Sequence, residues 1–126
     1  MYELHVDSHF DAAHRIEGYP GECAAIHGHT WRVTVTVHAE ELGGIGLSVD
    51  FKDISAVLNN VIARFDHRLL NECDEFEGVN PTAEHIARVL FRLTGEKLNR
   101  DGVRVVSATV AEGDRYRVVY RGGDDG

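Results

Sequence analysis

The sequence is short of cysteine and of long apolar runs, and both shortages restrict the kind of protein it encodes. Its 126 residues include two cysteines, Cys23 and Cys73, which stand in different sequence contexts. No apolar stretch approaches the ~20 residues of a membrane-spanning helix. Residues 1–10 alternate apolar and polar instead of forming the basic end and apolar block of a signal peptide. We therefore expect a cytoplasmic protein that does not cross a membrane and whose thiols are both free.

Positive charge is also scarce, because 13 Lys and Arg stand against 21 Asp and Glu, for a net charge of −8. Nonspecific nucleic-acid binding depends on clustered Lys and Arg, which are missing here, so nucleic acid is excluded as a partner. A small anionic substrate would need a local group of arginines or a helix N-terminus. The 43% of hydrophobic residues suits one domain over residues 1–121, which should bury roughly two thirds of its extended surface. Residues 122–126 are predicted to be a flexible tail.

Hydrophobic periodicity divides the chain into strands and helices. Apolar residues that recur every second position predict strands, and apolar residues spaced by three and four predict helices. The strands are predicted at 2–10, 30–38, 103–110 and 116–121, and the helices at 54–65 and after residue 82. Asp50 or Asp53 is available to cap the first helix, and Thr82 to cap the second. The order ββααββ predicts an α+β fold with a four-stranded antiparallel sheet and both helices on one face. Apolar residues such as Tyr120 would remain on the other face, which predicts a homo-oligomer.

Three histidines, His14, His27 and His29, form the most informative pattern of the chain. His27 and His29 open the alternation of the second strand, and residues i and i+2 of a strand point to the same face. His14 follows the first strand, so pairing of the two strands would supply a third imidazole. No fourth Cys or His is spaced to complete a structural zinc site, so the pattern predicts catalytic zinc with an open position. The alternative is that surface strands carry unrelated histidines.

Two cysteines have different predicted roles. Cys23 lies four residues before His27, so a thiol is tied close to the predicted metal and is the candidate proton-transfer base, provided that a nearby cation favours its thiolate. The alternative is a thiol without a function. Cys73 lies in the acidic segment Glu72-Cys73-Asp74-Glu75, where a thiolate is disfavoured, and we interpret it as structural.

Three further charged residues suit catalysis or binding. Asp66 and His67 follow the first predicted helix, and a carboxylate beside an imidazole suits general acid or base work, although a solvated helix end gives the same pattern. Glu112 ends the alternation of the third predicted strand and shares its inward face. Its two oxygens could accept adjacent N–H groups from a ligand such as an aminopyrimidinone ring. The alternative is a solvated residue at the hairpin turn.

Several segments together resemble the 6-pyruvoyltetrahydropterin synthase superfamily, over nearly the whole chain from Phe10 to Gly122. They are Phe10–Arg15, Cys23–His29, Val49–Phe51, Asp66–Asn71, Asn80–Glu84, and Glu112 with Tyr120–Gly122. The three residues between Cys23 and the His-Gly-His run resemble the bacterial 6-carboxytetrahydropterin synthases, since animal-type pyruvoyl synthases have a longer gap.

The resemblance implies a function and an assembly. It implies conversion of 7,8-dihydroneopterin triphosphate to 6-carboxy-5,6,7,8-tetrahydropterin with loss of triphosphate and acetaldehyde, a step toward queuosine and other deazapurines. It implies Zn²⁺ on His14, His27 and His29, proton removal by Cys23, proton relay by Asp66 and His67, and pterin binding by Glu112. It also implies the tunnelling (T) fold, whose trimers close a barrel and pair as hexamers, with Asp66 and His67 reaching a neighbouring subunit's site.

Three alternative functions stay open. A pyruvoyl-forming synthase would use the same zinc site and stop after elimination of triphosphate. A non-catalytic zinc-binding oligomer would keep the fold and the metal without turnover. A pterin aldolase of related fold is less favoured, because such enzymes do not need a three-histidine metal site.

Overall fold

The fold is one mixed sheet with two helices, seen in a computed structural model that describes residues 1–21 and 24–123. The strands lie in the order β3-β1-β2-β4-β5. Along the chain the elements are β1 (Tyr2–His14), β2 (His27–Ala39), α1 (Phe51–Ile62), β3 (Arg68–Leu69), α2 (Ala83–Leu98), β4 (Val103–Glu112) and β5 (Tyr116–Tyr120). The predicted α+β class and its four long strands and two helices are confirmed.

The sheet has one strand more than predicted. β3 is only two residues long and pairs parallel to the end of β1, with Ala12 opposite Arg68 and Ala13 opposite Leu69. A two-residue strand has no alternation that a sequence pattern could reveal. The other pairings, β1 with β2, β2 with β4 and β4 with β5, are antiparallel as predicted.

The apolar face of the sheet is covered by the helices. The odd-numbered residues of β2 from Trp31 to Ala39 are at most 1% exposed. Helix α1 packs against β1, and α2 packs against β4 and β5. Each helix buries one apolar stripe, which includes Ile54 and Leu58 of α1 and Ile86 and Leu90 of α2. The opposite face is polar, with Asp7, Asp11 and Arg32 among its exposed residues, so the core lies between the sheet and the helices.

Two details of the predicted sheet were wrong. Tyr120 does not lie on the uncovered face, because it pairs with Ala108 of the buried face and packs edge-on against Phe91 of α2. In β4, a register shift opposite Thr36 and Val37 changes which residues point inward. Val103 and Val105 are buried before the shift, and Ala108 and Val110 after it. A single period-two alternation cannot describe a bulged strand.

Side-chain caps fix where both helices begin. Asp50 caps α1 by accepting a hydrogen bond from the backbone N–H of Lys52 at 2.9 Å. Of the two candidates, Asp50 and Asp53, the cap is therefore Asp50. Thr82 caps α2 by accepting one from the N–H of His85 at 3.2 Å. Such side-chain acceptors satisfy amide groups that have no partner inside the helix. Helix α1 ends at Ile62, three residues before the predicted end, and the chain then turns toward β3.

The helices of the described ranges are all too short or too polar to cross a membrane. The domain boundary at residue 121 stays a prediction. Residues 124–126 of the predicted tail lie outside the residues that the structure describes.

Candidate metal centre

Strand pairing brings the three histidines together. In the antiparallel register of β1 and β2, His14 lies opposite His27 and Ala12 lies opposite His29. The ring centroid of His14 is 4.5 Å from that of His27 and 5.3 Å from that of His29. Trp31 packs edge-on against both His14 and His29 and closes the inner side of the cluster. The imidazoles therefore converge at the open end of the sheet.

Main-chain carbonyls determine which nitrogen of two rings faces the cluster. His14 Nδ1 lies 2.8 Å from the carbonyl oxygen of Pro81, and His27 Nδ1 lies 2.8 Å from that of Ala25. A carbonyl oxygen only accepts, so each Nδ1 carries the proton and each Nε2 keeps its lone pair. Burial lowers the pKa of His14, more than the Pro81 hydrogen bond raises it. The lowered pKa favours a neutral His14, and the two carbonyl contacts leave the Nε2 atoms of His14 and His27 available to a metal.

Glu112 joins the cluster from the end of β4. Its Oε1 lies 2.8 Å from His29 Nε2 and 4.0 Å from His14 Nε2. Those two nitrogens are buried, and neither makes an aligned hydrogen bond. One potential ligand atom from each of His14, His27, His29 and Glu112 lies within 4.8 Å of the others. Unsatisfied nitrogens that converge with a carboxylate on one point fit a divalent metal ion, so this group could hold one.

Two asparagines hold the chain that leaves the cluster. The side chain of Asn71 accepts from the N–H of Arg15 at 2.9 Å and donates to its carbonyl oxygen at 3.0 Å. Asn80 makes the same pair of bonds with Glu17, at 2.9 and 3.0 Å. Each amide therefore replaces a neighbouring strand and fixes the segment that follows His14. Spacing gave no indication of this role, because the partners are 56 and 63 residues apart.

The candidate base Cys23 lies outside the residues that the structure describes, so its predicted role remains untested. The other cysteine agrees with the structural interpretation. Burial raises the pKa of the Cys73 thiol, and Glu75 adds to this effect. Its Sγ donates to the carbonyl of Leu69 at 3.8 Å, and it is a free thiol.

Asp66 and His67 form a second, exposed cluster with Asp11. The carboxylate of Asp66 accepts from the N–H of Asp11 at 3.0 Å and lies 3.0 Å from Nδ1 of His67. The N–H of Asp11 is the main cause that lowers the pKa of Asp66. His67 has a left-handed backbone, with φ of 59°, and donates its N–H to the carbonyl of Asp11 at 2.6 Å. Such a conformation is costly for a non-glycine residue and is held here by pairing with β1.

The two clusters lie at one edge of the sheet but on different faces of it. Asp11 pairs with Thr30 on the polar face, whereas His14, His27 and His29 lie on the helix-covered face. A cleft of about 540 Å³ is lined by His29 and by His67. Asp66 and His67 are not in the group formed by His14, His27, His29 and Glu112, but His67 shares this cleft with His29.

The profile of the 6-pyruvoyl tetrahydropterin synthase family matches residues 3–123. The chain belongs to this family. A protein of Archaeoglobus fulgidus is 36% identical over 117 residues, which cover 92% of this chain and 93% of that one. The 6-carboxy-5,6,7,8-tetrahydropterin synthases of Bacillus subtilis and Synechocystis are 34% and 32% identical, covering 71% and 82% of this chain and 63% and 79% of theirs.

Solved structures of the 6-pyruvoyl tetrahydropterin synthase family share the fold. The enzyme from Caenorhabditis elegans superposes with a TM-score of 0.83 at 22% identity, over 97% of this chain and 96% of that one. A catalytic-residue variant of the enzyme from Plasmodium vivax superposes with a TM-score of 0.77 at 18% identity, over 94% of this chain and 96% of that one. The predicted tunnelling fold is thereby confirmed.

Proposed function

We propose that the chain converts 7,8-dihydroneopterin triphosphate to 6-carboxy-5,6,7,8-tetrahydropterin, with release of triphosphate and acetaldehyde, at a zinc ion held by His14, His27 and His29. One observation carries the proposal. The Nε2 atoms of His14 and His29 are buried without a hydrogen-bond partner and converge with His27, in a chain similar to proteins named for this activity. Three imidazoles are one of the ligand sets of catalytic zinc.

The residues divide the chemical work among them. When bound, zinc supplies a Lewis acid that polarises the oxygens of the substrate side chain. Cys23, four residues from His27, removes the carbon-bound proton. Asp66 and His67 transfer protons during tautomerisation and cleavage; the hydrogen bond from Asp11 keeps Asp66 ionised, so that it can stabilise a protonated His67. Glu112 accepts the adjacent N–H groups of the pterin ring.

The placement of Asp66 and His67 supports an oligomeric active site. They lie on the polar face, and the metal-facing histidines lie on the other. A neighbouring copy of the chain would supply the dyad, in a trimer or in a hexamer built from two trimers. Cytoplasmic location and a place in queuosine or deazapurine synthesis belong to the same proposal.

Product analysis tests the proposal. The metal-quantified protein is incubated without oxygen with 7,8-dihydroneopterin triphosphate, and the products are identified by mass spectrometry. We expect 6-carboxytetrahydropterin and acetaldehyde. A pyruvoyl product would identify a synthase that stops after triphosphate elimination, and unchanged substrate with zinc bound would favour a non-catalytic zinc protein. Full activity without metal would favour the aldolase instead.

The second cysteine of the chain, Cys73, provides a control for the proposed role of Cys23. Cys23→Ala should abolish turnover and retain zinc, because the residue acts on the substrate and is not a ligand. Cys73→Ala removes the second thiol, which is partly buried and does not belong to the group of His14, His27, His29 and Glu112, and should keep its activity. Equal activity of the two variants would reject Cys23 as the base.

A further inference from the structure

The position of the Glu112 carboxylate is not explained by ring binding alone. Recognition of an aminopyrimidinone ring requires both carboxylate oxygens to face the ligand. In the structure one of them, Oε1, faces the histidines at 2.8 Å from His29 Nε2 and 4.0 Å from His14 Nε2. This oxygen is directed at the place where three imidazoles converge.

A hydrogen bond does not account for this contact. His29 Nε2 makes no aligned hydrogen bond although Oε1 is only 2.8 Å away. His14 carries its proton on Nδ1, which faces Pro81, so its Nε2 cannot donate to the Glu112 oxygen 4.0 Å away, which also only accepts. Buried acceptor nitrogens that converge with a carboxylate are unfavourable unless a cation lies among them.

We propose that Glu112 is a fourth protein ligand of the resting metal centre and leaves the metal when a pterin ring binds. The ring-binding half rests on the proposed function. Zinc readily combines carboxylate and imidazole ligands, and four protein ligands close a zinc site. Exchange of one ligand would therefore open a closed centre only when substrate is present.

The surroundings of Glu112 allow this exchange. Its side chain is 37% exposed, whereas that of His14 is 1% exposed. It is the last residue of β4, and Gly113, which follows, has a positive φ of 75°. Glu112 thus lies on the solvent-exposed side of the group, next to the hairpin that connects β4 to β5.

Metal binding and access of a neutral ligand test the fourth-ligand role. Wild type, Glu112→Gln and the control Asp114→Asn, which removes one charge from the same hairpin, are titrated with zinc against a chelator. Loss of a ligand should weaken zinc binding of Glu112→Gln by at least about ten-fold. Each protein is then loaded with cobalt(II) and titrated with imidazole, followed by visible absorption.

In Glu112→Gln the affinity for zinc must fall and the affinity for imidazole must rise. Glu112→Gln should bind imidazole several-fold more tightly than wild type and Asp114→Asn, because the position taken by the carboxylate is free. If Glu112 only oriented His29, zinc binding would weaken and imidazole binding would stay the same. That result, or an unchanged zinc affinity, overturns the proposal.

Exchange is tested with pterin itself, which carries the ring but no side chain to reach the metal. Because coupling between two ligands is reciprocal, metal-loaded wild type should bind pterin several-fold more weakly than metal-free wild type, and the control Asp114→Asn should keep this difference. Equal affinities in the two wild-type forms overturn the exchange. If no form binds pterin while the imidazole result holds, the proposed function fails and the fourth-ligand role stands.

Discussion

At the scale of single residues, the candidate metal centre depends on ring protons carried by the nitrogens that face away from the cluster. Pro81 and Ala25 each accept the Nδ1 proton of one histidine, at 2.8 Å. Both carbonyls belong to the main chain, so no side-chain substitution removes them directly. The tautomer that presents Nε2 is therefore a property of the fold, and metal binding needs no rearrangement of His14 or His27.

Removal of one imidazole from the cluster should weaken zinc binding without unfolding the protein. His27→Ala is expected to weaken zinc binding by more than the about 10- to 100-fold that is typical of losing an outer partner, since a direct ligand is lost. His27 is only partly buried, so the fold should persist. Metal content after dialysis against a chelator measures the effect.

His9→Ala is the matched control. His9 is exposed on the polar face of β1, so its loss should leave zinc content unchanged. Equal zinc loss in both variants would mean that the histidines act only through general charge or stability, which would contradict the metal centre.

At the scale of elements, the metal centre forms where β1 pairs with β2 and where α2 begins. The pairing aligns His14 with His27, and the start of α2 contributes the Pro81 carbonyl to His14. Thr82, the next residue, caps the same helix. The helix start thus serves both the stability of α2 and the orientation of a ligand.

Thr82→Ala should affect both the stability of the protein and its affinity for zinc. Loss of the cap is expected to lower the free energy of unfolding by about 1 kcal/mol, measured by urea unfolding at a fixed protein concentration. Zinc affinity should fall as well, because the Pro81 carbonyl loses its fixed position. Thr82→Ser keeps the capping oxygen and should behave like wild type. A stability loss without any change in zinc affinity would separate the cap from the metal centre.

The same elements show what could be predicted from the sequence. Periodicity identified the four long strands and both helices, and the i, i+2 geometry of His27 and His29 was enough to expect a shared face. The Pro81 carbonyl was beyond prediction, because its contact with His14 spans 67 residues. β3 and the register shift in β4 arise from tertiary pairing and leave no periodic signal. Glu112 was predicted to face inward, but its distance to the histidines depends on the register of β4 against β2.

At the scale of the whole molecule, one sheet separates two clusters of polar side chains. The Asp11, Asp66 and His67 cluster is exposed at one edge of the polar face, and the metal centre lies under the helix-covered face. His67 is held outward by its left-handed backbone and its bond to Asp11. Asp66 and His67 are not in the group that converges on the candidate metal position, although His67 lines one cleft together with His29.

Mixing two inactive variants tests whether the two clusters act across copies. Cys23→Ala and His67→Ala are each expected to be inactive as pure oligomers. Mixed oligomers contain some sites with both Cys23 and His67 intact, so part of the activity should return. Mass spectrometry of the intact assemblies verifies the mixing, and a mixture of two Cys23→Ala preparations serves as control. No recovery in verified mixed oligomers would mean that both clusters act within one chain.

Because His14 pairs with His27, the positions of these two candidate ligands do not depend on the length of the segment between them. Those two residues close the β1–β2 ladder, and twelve residues, 15–26, lie between them in the sequence. Lengthening such a loop costs little, because closure entropy grows only with the logarithm of its length. Relatives can therefore gain or lose residues there without moving the ligands. In the proposed mechanism such insertions would alter the position of Cys23, so evolution could adjust the chemistry of the site without changing the residues that would hold the metal.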